Sequence, residues 1–213
     1  MSELIQLIAE GEHVCQDFKF RIDDQKKIAR TLCAFANTKG GRLLVGVKDN
    51  GKVSGCDPQE EFFMIEGAAS SFCKPEILFH SVVWQEDMKL VLEIDVPPSD
   101  KMPHRAQDEM GKWRSYIRVQ DETLAANKIT EGVWRERKNK TPKPETFSTD
   151  ELALLKTIAA LEPITLSKLY KTANLPFKRV DRLLVLFIIW ELVQQIIGKE
   201  GARYVLLETG QGS

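Results

Sequence analysis

The sequence has no apolar run of about eighteen residues, the length a helix needs to cross a bilayer, so a membrane-spanning protein is not expected. Its opening, MSELIQLIAEGEH, is too short in apolar character and too acidic for an export signal, which makes a cytoplasmic location the expectation. There is no C-x-x-C pair. Cys15, Cys33, Cys56 and Cys73 stand far apart with no histidine run nearby, which argues against a zinc site and for free, buried thiols. No G-x-x-x-x-G-K-[ST] motif occurs, so NTP hydrolysis has no support. Excess charge of one sign is also missing: 30 Lys and Arg stand against 31 Asp and Glu. Any binding of nucleic acid must therefore come from local basic surface. Internal repeats and low-complexity tracts are absent too.

What is present is the composition of a folded protein, with 43% hydrophobic residues to fill cores. A chain of 213 residues suits two domains of unequal size. The charged, proline-containing stretch RERKNKTPKP at 135–144 marks the junction. The expected division is a first domain at 1–135, a linker at 136–147 and a second domain at 148–213.

In the first part, Ile28, Leu32 and Phe35 at helical spacing after Asp23, with Gly40-Gly41 beyond, predict a helix. The apolar run at 42–48, then Asn50-Gly51, then 53–56 predict a tight hairpin. A second helix is expected at 59–72. Strands are expected at 77–84, 90–96 and 113–119, the first two antiparallel around Glu86-Asp87. The sum is α+β, a mixed sheet with helices. In the second part, Ser148 caps a helix, Thr165 caps a short one, and Pro176 opens a third. A strand, a Gly-flanked turn at 198–201 and a returning strand follow. Three helices and a hairpin make a small winged helix-turn-helix domain.

The segments GEHVCQDFK at 11–19, AFANTKGG at 34–41 and LVGVKDNG at 44–51 together resemble the Schlafen AlbA-type domain family over roughly residues 1–130. The resemblance implies a nucleic-acid-binding α+β domain, of the kind found in bacterial DNA-binding proteins often fused to helix-turn-helix modules. Some animal members cleave RNA through three acidic residues, and the matching positions here are Glu12, Asp17 and Asp49. Aspartate at position 17 departs from the family's glutamate, and Tyr116-Ile-Arg118-Val-Gln120 lacks the family's glycine.

If Glu12, Asp17 and Asp49 converge, they form a catalytic and metal site able to hold Mg²⁺ or Mn²⁺. On one regular strand Glu12 and Asp17 would face opposite sides. The bland alternative is three solvated acids. Asn37 and Lys39 offer an amide and a cation to phosphates, or simply end a helix. Lys19, Arg21, Arg114 and Arg118 on predicted strands form a candidate phosphate-tracking face, with His104-Arg105 beside it. Lys178, Arg179 and Arg182 near the start of the third helix of the second domain suit a recognition helix.

Residues 183–197 are apolar on nearly every side, which points to a homodimer or to packing on the first domain. The leading expectation is a DNA-binding, regulator-like protein, with DNA preferred over RNA. The alternatives are a metal-dependent endoribonuclease of the Schlafen type and a protein-interaction or oligomerisation module.

Overall fold

The computed structural model describes residues 2–207. The chain divides into two units, Met1–Ala126 and Asn127–Ser213.

In the first unit the Ser2 side chain accepts from the Ile5 N–H and starts α1 (Glu3–Ala9), which buries Leu4 and Ile8. After β1 (Gln16–Lys19), Asp24 accepts from the N–H groups of Lys26 and Lys27 and caps α2 (Gln25–Ala36). The stripe of Ile28, Leu32 and Phe35 is buried, as its spacing requires. The chain then turns back into β2 (Gly41–Val45), parallel to β1, so that α2 is the crossover between them. Two glycines make that return possible. Gly40 has φ +76°, and a Cβ at Gly41 would stand 2.2 Å from the Phe35 ring.

α3 (Pro58–Ser71), capped by Asp57, leads to β3 (Cys73–Lys74), β4 (His80–Glu86) and β5 (Lys89–Val96). β4 and β5 pair antiparallel about Asp87 and Met88, both at positive φ. The resulting sheet is mixed, in the order β1-β2-β5-β4. Alternate residues sort onto its two faces. Leu43, Val45, Leu92 and Ile94 join the core with α2, while Phe18, Leu44, Val47 and Val91 pack with Leu4 and Ile8 of α1.

β6 (Arg105–Gln107), β7 (Trp113–Arg114), β8 (Tyr116–Val119) and β9 (Glu122–Ala125) complete the unit. The single strand expected at 113–119 is two. β7 joins β6 and β3, β8 pairs with β9, and buried Ser115 lies at the break. Tyr116, Ile117 and Arg118 are buried in succession, so strand alternation could not reveal the break. The Asn50-Gly51 turn is real, with Gly51 donating to the Lys48 carbonyl at 2.8 Å, but it is flanked by the lone bridge Val47–Val53 rather than a ladder.

In the second unit Asn127 caps α4 (Lys128–Asn139). This helix crosses the expected junction: the expected boundaries divide its residues between the first domain and the linker, and all of them belong to the second unit. It has a narrow apolar edge, Ile129 and Val133, which enters the second unit's core. Ser148 and Glu151 form a capping box on α5 (Thr149–Leu161). β10 (Ile164–Thr165), α6 (Leu166–Thr172), α7 (Phe177–Ile189), β11 (Val193–Gly198) and β12 (Gly201–Leu206) follow, the strands in the order β10-β12-β11. Much of the apolar circumference of α7, expected to need a second molecule or the first domain, packs within this unit, while Ile188, Ile189 and Trp190 are half-buried. Val180, Leu183, Leu184 and Phe187 enter the core, and Val185 faces Gly132 of α4, where a Cβ would come within 2.7 Å of its methyl group. None of the described helices is long and apolar enough to cross a membrane. Cys33 and Cys73 are buried free thiols, and Cys15 and Cys56 are half-buried.

Candidate nucleic-acid interface

The turn at 11–15 resolves the problem posed by the spacing of Glu12 and Asp17. His13 and Gln16 exchange backbone hydrogen bonds of 3.0 and 3.1 Å. The chain therefore doubles back, and Glu12 Oε1 accepts from the Phe18 N–H at 2.9 Å. Burial raises the Glu12 pKa above its usual range, and the nearby charges of Asp17 and Asp49 push it in the same direction. Glu12 thus lies within electrostatic reach of both other acids.

Their donor set does not fit a divalent metal. Asp17, 5% exposed, has Lys19 Nζ 2.6 Å from its Oδ2 and the guanidinium of Arg118 3.4 Å from its Oδ1. Two cations already stand against this one carboxylate. Among the described residues no three His, Cys, Asp or Glu side chains are grouped to hold a metal. Glu12, Asp17 and Asp49, expected as a catalytic and metal site, thus do not form a grouped donor set among the described residues.

Arg118 is 4% exposed and acts as an internal clamp. It donates to Thr123 Oγ1 at 3.2 Å, to the His13 carbonyl at 3.2 Å and to Asp17, and lies 5.1 Å over the Phe35 ring. Asn37 is also internal. Its Nδ2 donates to the carbonyls of His104 and Tyr116 at 2.9 and 3.0 Å, and its Oδ1 accepts from the His104 N–H at 2.8 Å. A buried amide committed in this way has nothing left for a phosphate. The His104 ring spans Pro75 O at 2.9 Å and Ser99 Oγ at 2.7 Å, and burial lowers its pKa. Lys39 and Arg114 are exposed, the latter paired with Asp108 at 2.9 Å. The one sheet face expected to carry Lys19, Arg21, Arg114 and Arg118 does not form, because β1 and β8 belong to different sheets.

What does form is a hollow of about 280 Å³ walled by Lys19, Lys27, Arg30, Arg118, Asp17 and Tyr116, among others. Two of its buried polar atoms, Asp17 Oδ2 and Arg118 Nε, have no hydrogen-bond partner; the approach of Lys19 to Oδ2 is close but off hydrogen-bond geometry. A second hollow of about 220 Å³ shares Lys19 and Lys27 and adds Phe20 and Arg21. Lys19 and Arg21 were visible in the sequence as candidates. Lys27 and Arg30 were missed, although their i, i+3 spacing on the polar side of α2 was there to be read. Phe20 was missed because nothing local shows that it stays exposed.

In the second unit Arg182 forks onto Glu136 of α4, with Nη2 donating to Oε1 at 3.0 Å and Nη1 bonded to Oε2. Hydrogen bonds from Arg182 and Thr141 hold the Glu136 carboxyl down at about 2. Arg179 pairs with Asp150 at 3.1 Å. Lys178 is exposed and lines a hollow of about 490 Å³ between α4 and α7, with Lys128, Arg135 and Arg182. Of the three cations expected on a recognition helix, two are therefore engaged inside the unit.

The family described as "Schlafen, AlbA_2" matches residues 12–127. Among solved structures, the chain is similar to the DIP2311 protein from Corynebacterium diphtheriae, at 20% identity and TM-score 0.45, over 89% of this chain and 34% of that one. It is also similar to the N-terminal domain of an ATP-dependent DNA helicase RecG-related protein from Nitrosomonas europaea, at 23% identity and TM-score 0.43, over 60% of this chain and 97% of that one. The chain thus spans about a third of the Corynebacterium protein. Comparison with curated proteins gives no match.

Proposed function

Since the chain belongs to the Schlafen, AlbA_2 family through residues 12–127, we propose that it is a non-catalytic nucleic-acid-binding protein, regulator-like in character, that takes a phosphate backbone into the hollow of its first unit. The observation that carries this reading is the convergence of Lys27 and Arg30, beside Lys19 in its ion pair with Asp17, on a hollow lined by the buried Arg118–Asp17 pair. Near-neutral overall charge makes such local concentration the only electrostatic route to phosphate. Cleavage has no support in Asp17, whose charge is met by the chain's own Lys19 and Arg118.

For the second unit we propose a winged helix preceded by an accessory helix, α4. The order α5-β10-α6-α7-β11-β12 with a β10-β12-β11 sheet supports it. Because α4 packs along the flank of α7 that carries Val185 and Arg182, docking of α7 in a major groove falls to its first turn, where Lys178 is exposed.

The test is binding of duplex DNA, single-stranded DNA and structured RNA over a range of salt. The double variant Lys27→Glu, Arg30→Glu should lower affinity and reduce the slope of log affinity against log salt by roughly two, about 0.9 for each phosphate no longer neutralised. Unchanged affinity and slope for every substrate would dismiss the first-unit hollow as the interface. Loss of binding on Lys178→Ala alone would move the interface to α7.

A further inference from the structure

We infer that the first unit recognises single-stranded rather than duplex nucleic acid, with Phe20 as a platform on which an unpaired base stacks. The inference rests on the proposed phosphate-binding role of the adjoining hollow, and adds the class of ligand.

Phe20 directly follows Lys19 at the end of β1, yet half of its surface is open to water. Two residues on, Ile22 by contrast is buried. The surroundings distinguish it from the other strongly exposed phenylalanines. Phe177 has Tyr170 against it, with ring centroids 4.5 Å apart. Phe63 sits on α3, which bears Glu60, Glu61 and Glu66 and no basic residue. Phe20 has Lys48 Nζ 5.6 Å from its ring centroid, and it shares its hollow with Lys19, Arg21 and Lys27.

An exposed ring set among cations is the combination that binds unpaired bases: the ring takes the face of a base and the cations take the phosphates on either side. In a duplex the base faces are already stacked on one another, so an isolated ring beside a backbone groove gains little from paired strands. Because the two hollows share Lys19 and Lys27, a strand with a base on Phe20 has its next phosphates at Lys27 and Arg30. The acids in the path do not cancel this. Asp24 is turned onto the N–H groups of Lys26 and Lys27, and Asp17 is held by Lys19 and Arg118. Asp23 and Asp121 remain at the rim, against Arg21, Lys27 and Arg30, and the exposed Glu109 lies 3.4 Å from Arg30 Nη1.

The experiment uses the full chain and fluorescently labelled short oligothymidylate, oligouridylate, an abasic strand of the same length and a duplex. Phe20→Ala should weaken binding of the thymidylate or uridylate strand by about tenfold, as the loss of one base–aromatic stack implies, and leave the abasic strand and the duplex unaffected. Phe20→Trp should hold or improve affinity, and its indole fluorescence should change on adding the strand. Preference for thymidylate or for uridylate separates DNA from RNA as the source of the strand. If Phe20→Ala and Phe20→Leu bind the strand as wild type does while Lys27→Glu with Arg30→Glu loses it, stacking is overturned and the phosphate hollow stands. If wild type binds none of the four, the proposed function falls and this inference with it. Thermal melting of each variant verifies that the half-exposed position leaves the fold intact.

Discussion

Glu136 on α4 grips both nitrogens of the Arg182 fork on α7, joining a helix that looks like linker in the sequence to the most apolar helix of the second unit. Glu136 is 4% exposed, so removing its charge leaves Arg182 without its partner and the Thr141 and Asn139 side chains without theirs. Glu136→Gln should destabilise the second unit by about 1–3 kcal/mol at neutral pH, read from chemical denaturation. The pH dependence has a definite sign. A carboxyl held down at about 2 from 4.5 contributes stability that is complete above pH 4.5 and lost as pH falls through about 2. Glu136→Gln should flatten the acid limb of the denaturation curve over that window.

The place of the cut between the two units matters. A fragment beginning at Asn127 should unfold cooperatively, whereas one beginning after Lys140 loses α4 and lays bare the α7 flank at Val185. Denaturation of the two fragments side by side checks this. Equal stability would mean that α4 adds nothing to the second unit.

Asp17 should behave as an internal counter-ion rather than as a metal ligand. Asp17→Asn should lower the midpoint of thermal unfolding strongly, with a cost of about 3–5 kcal/mol, because it strands the buried guanidinium of Arg118. Millimolar Mg²⁺ or Mn²⁺ should leave the wild-type midpoint unmoved. A cation-dependent rise that disappears in Asp17→Asn would restore the metal reading.

Asn37 was readable as a phosphate contact and is a pin. Asn37→Ala should cost about 2–4 kcal/mol through the loss of its bonds to His104 and Tyr116, while affinity for nucleic acid, measured where the variant is folded, stays at the wild-type level.

His104 should limit stability on the acid side. Burial depresses its pKa from 6.5, so its contribution is complete above pH 6.5 and is lost as pH falls through the lower folded-state value. Denaturation midpoints should fall as pH drops below 6.5, and His104→Phe should remove that part of the dependence.

How much of this was legible follows from how local each signal is. The caps at Asp24, Ser148 and Thr165 bond to backbone within three residues, so the helices they open were readable. The mixed sheet followed from apolar runs such as 42–48 and 90–96, bounded by turn residues. α4 was not readable, because a helix rich in charge with a narrow apolar edge resembles a linker until Glu136 has a partner 46 residues away. The acids could be named, but the pairing of Asp17 could not: Arg118 lies 101 residues from it in sequence. Asn37 and Arg118 have the chemistry of phosphate ligands, and only burial reveals that it is spent internally.

The close approach at Gly41 ties the backbone return after α2 to the Arg118–Asp17 pair in the hollow of the first unit. The Phe35 ring fills the space a side chain at 41 would take, and the same ring supports the Arg118 guanidinium 5.1 Å away. A single methyl at position 41 would therefore act as a wedge. It would tilt the ring, shift the guanidinium and loosen Asp17, altering the charge that lines the hollow from a position outside its lining.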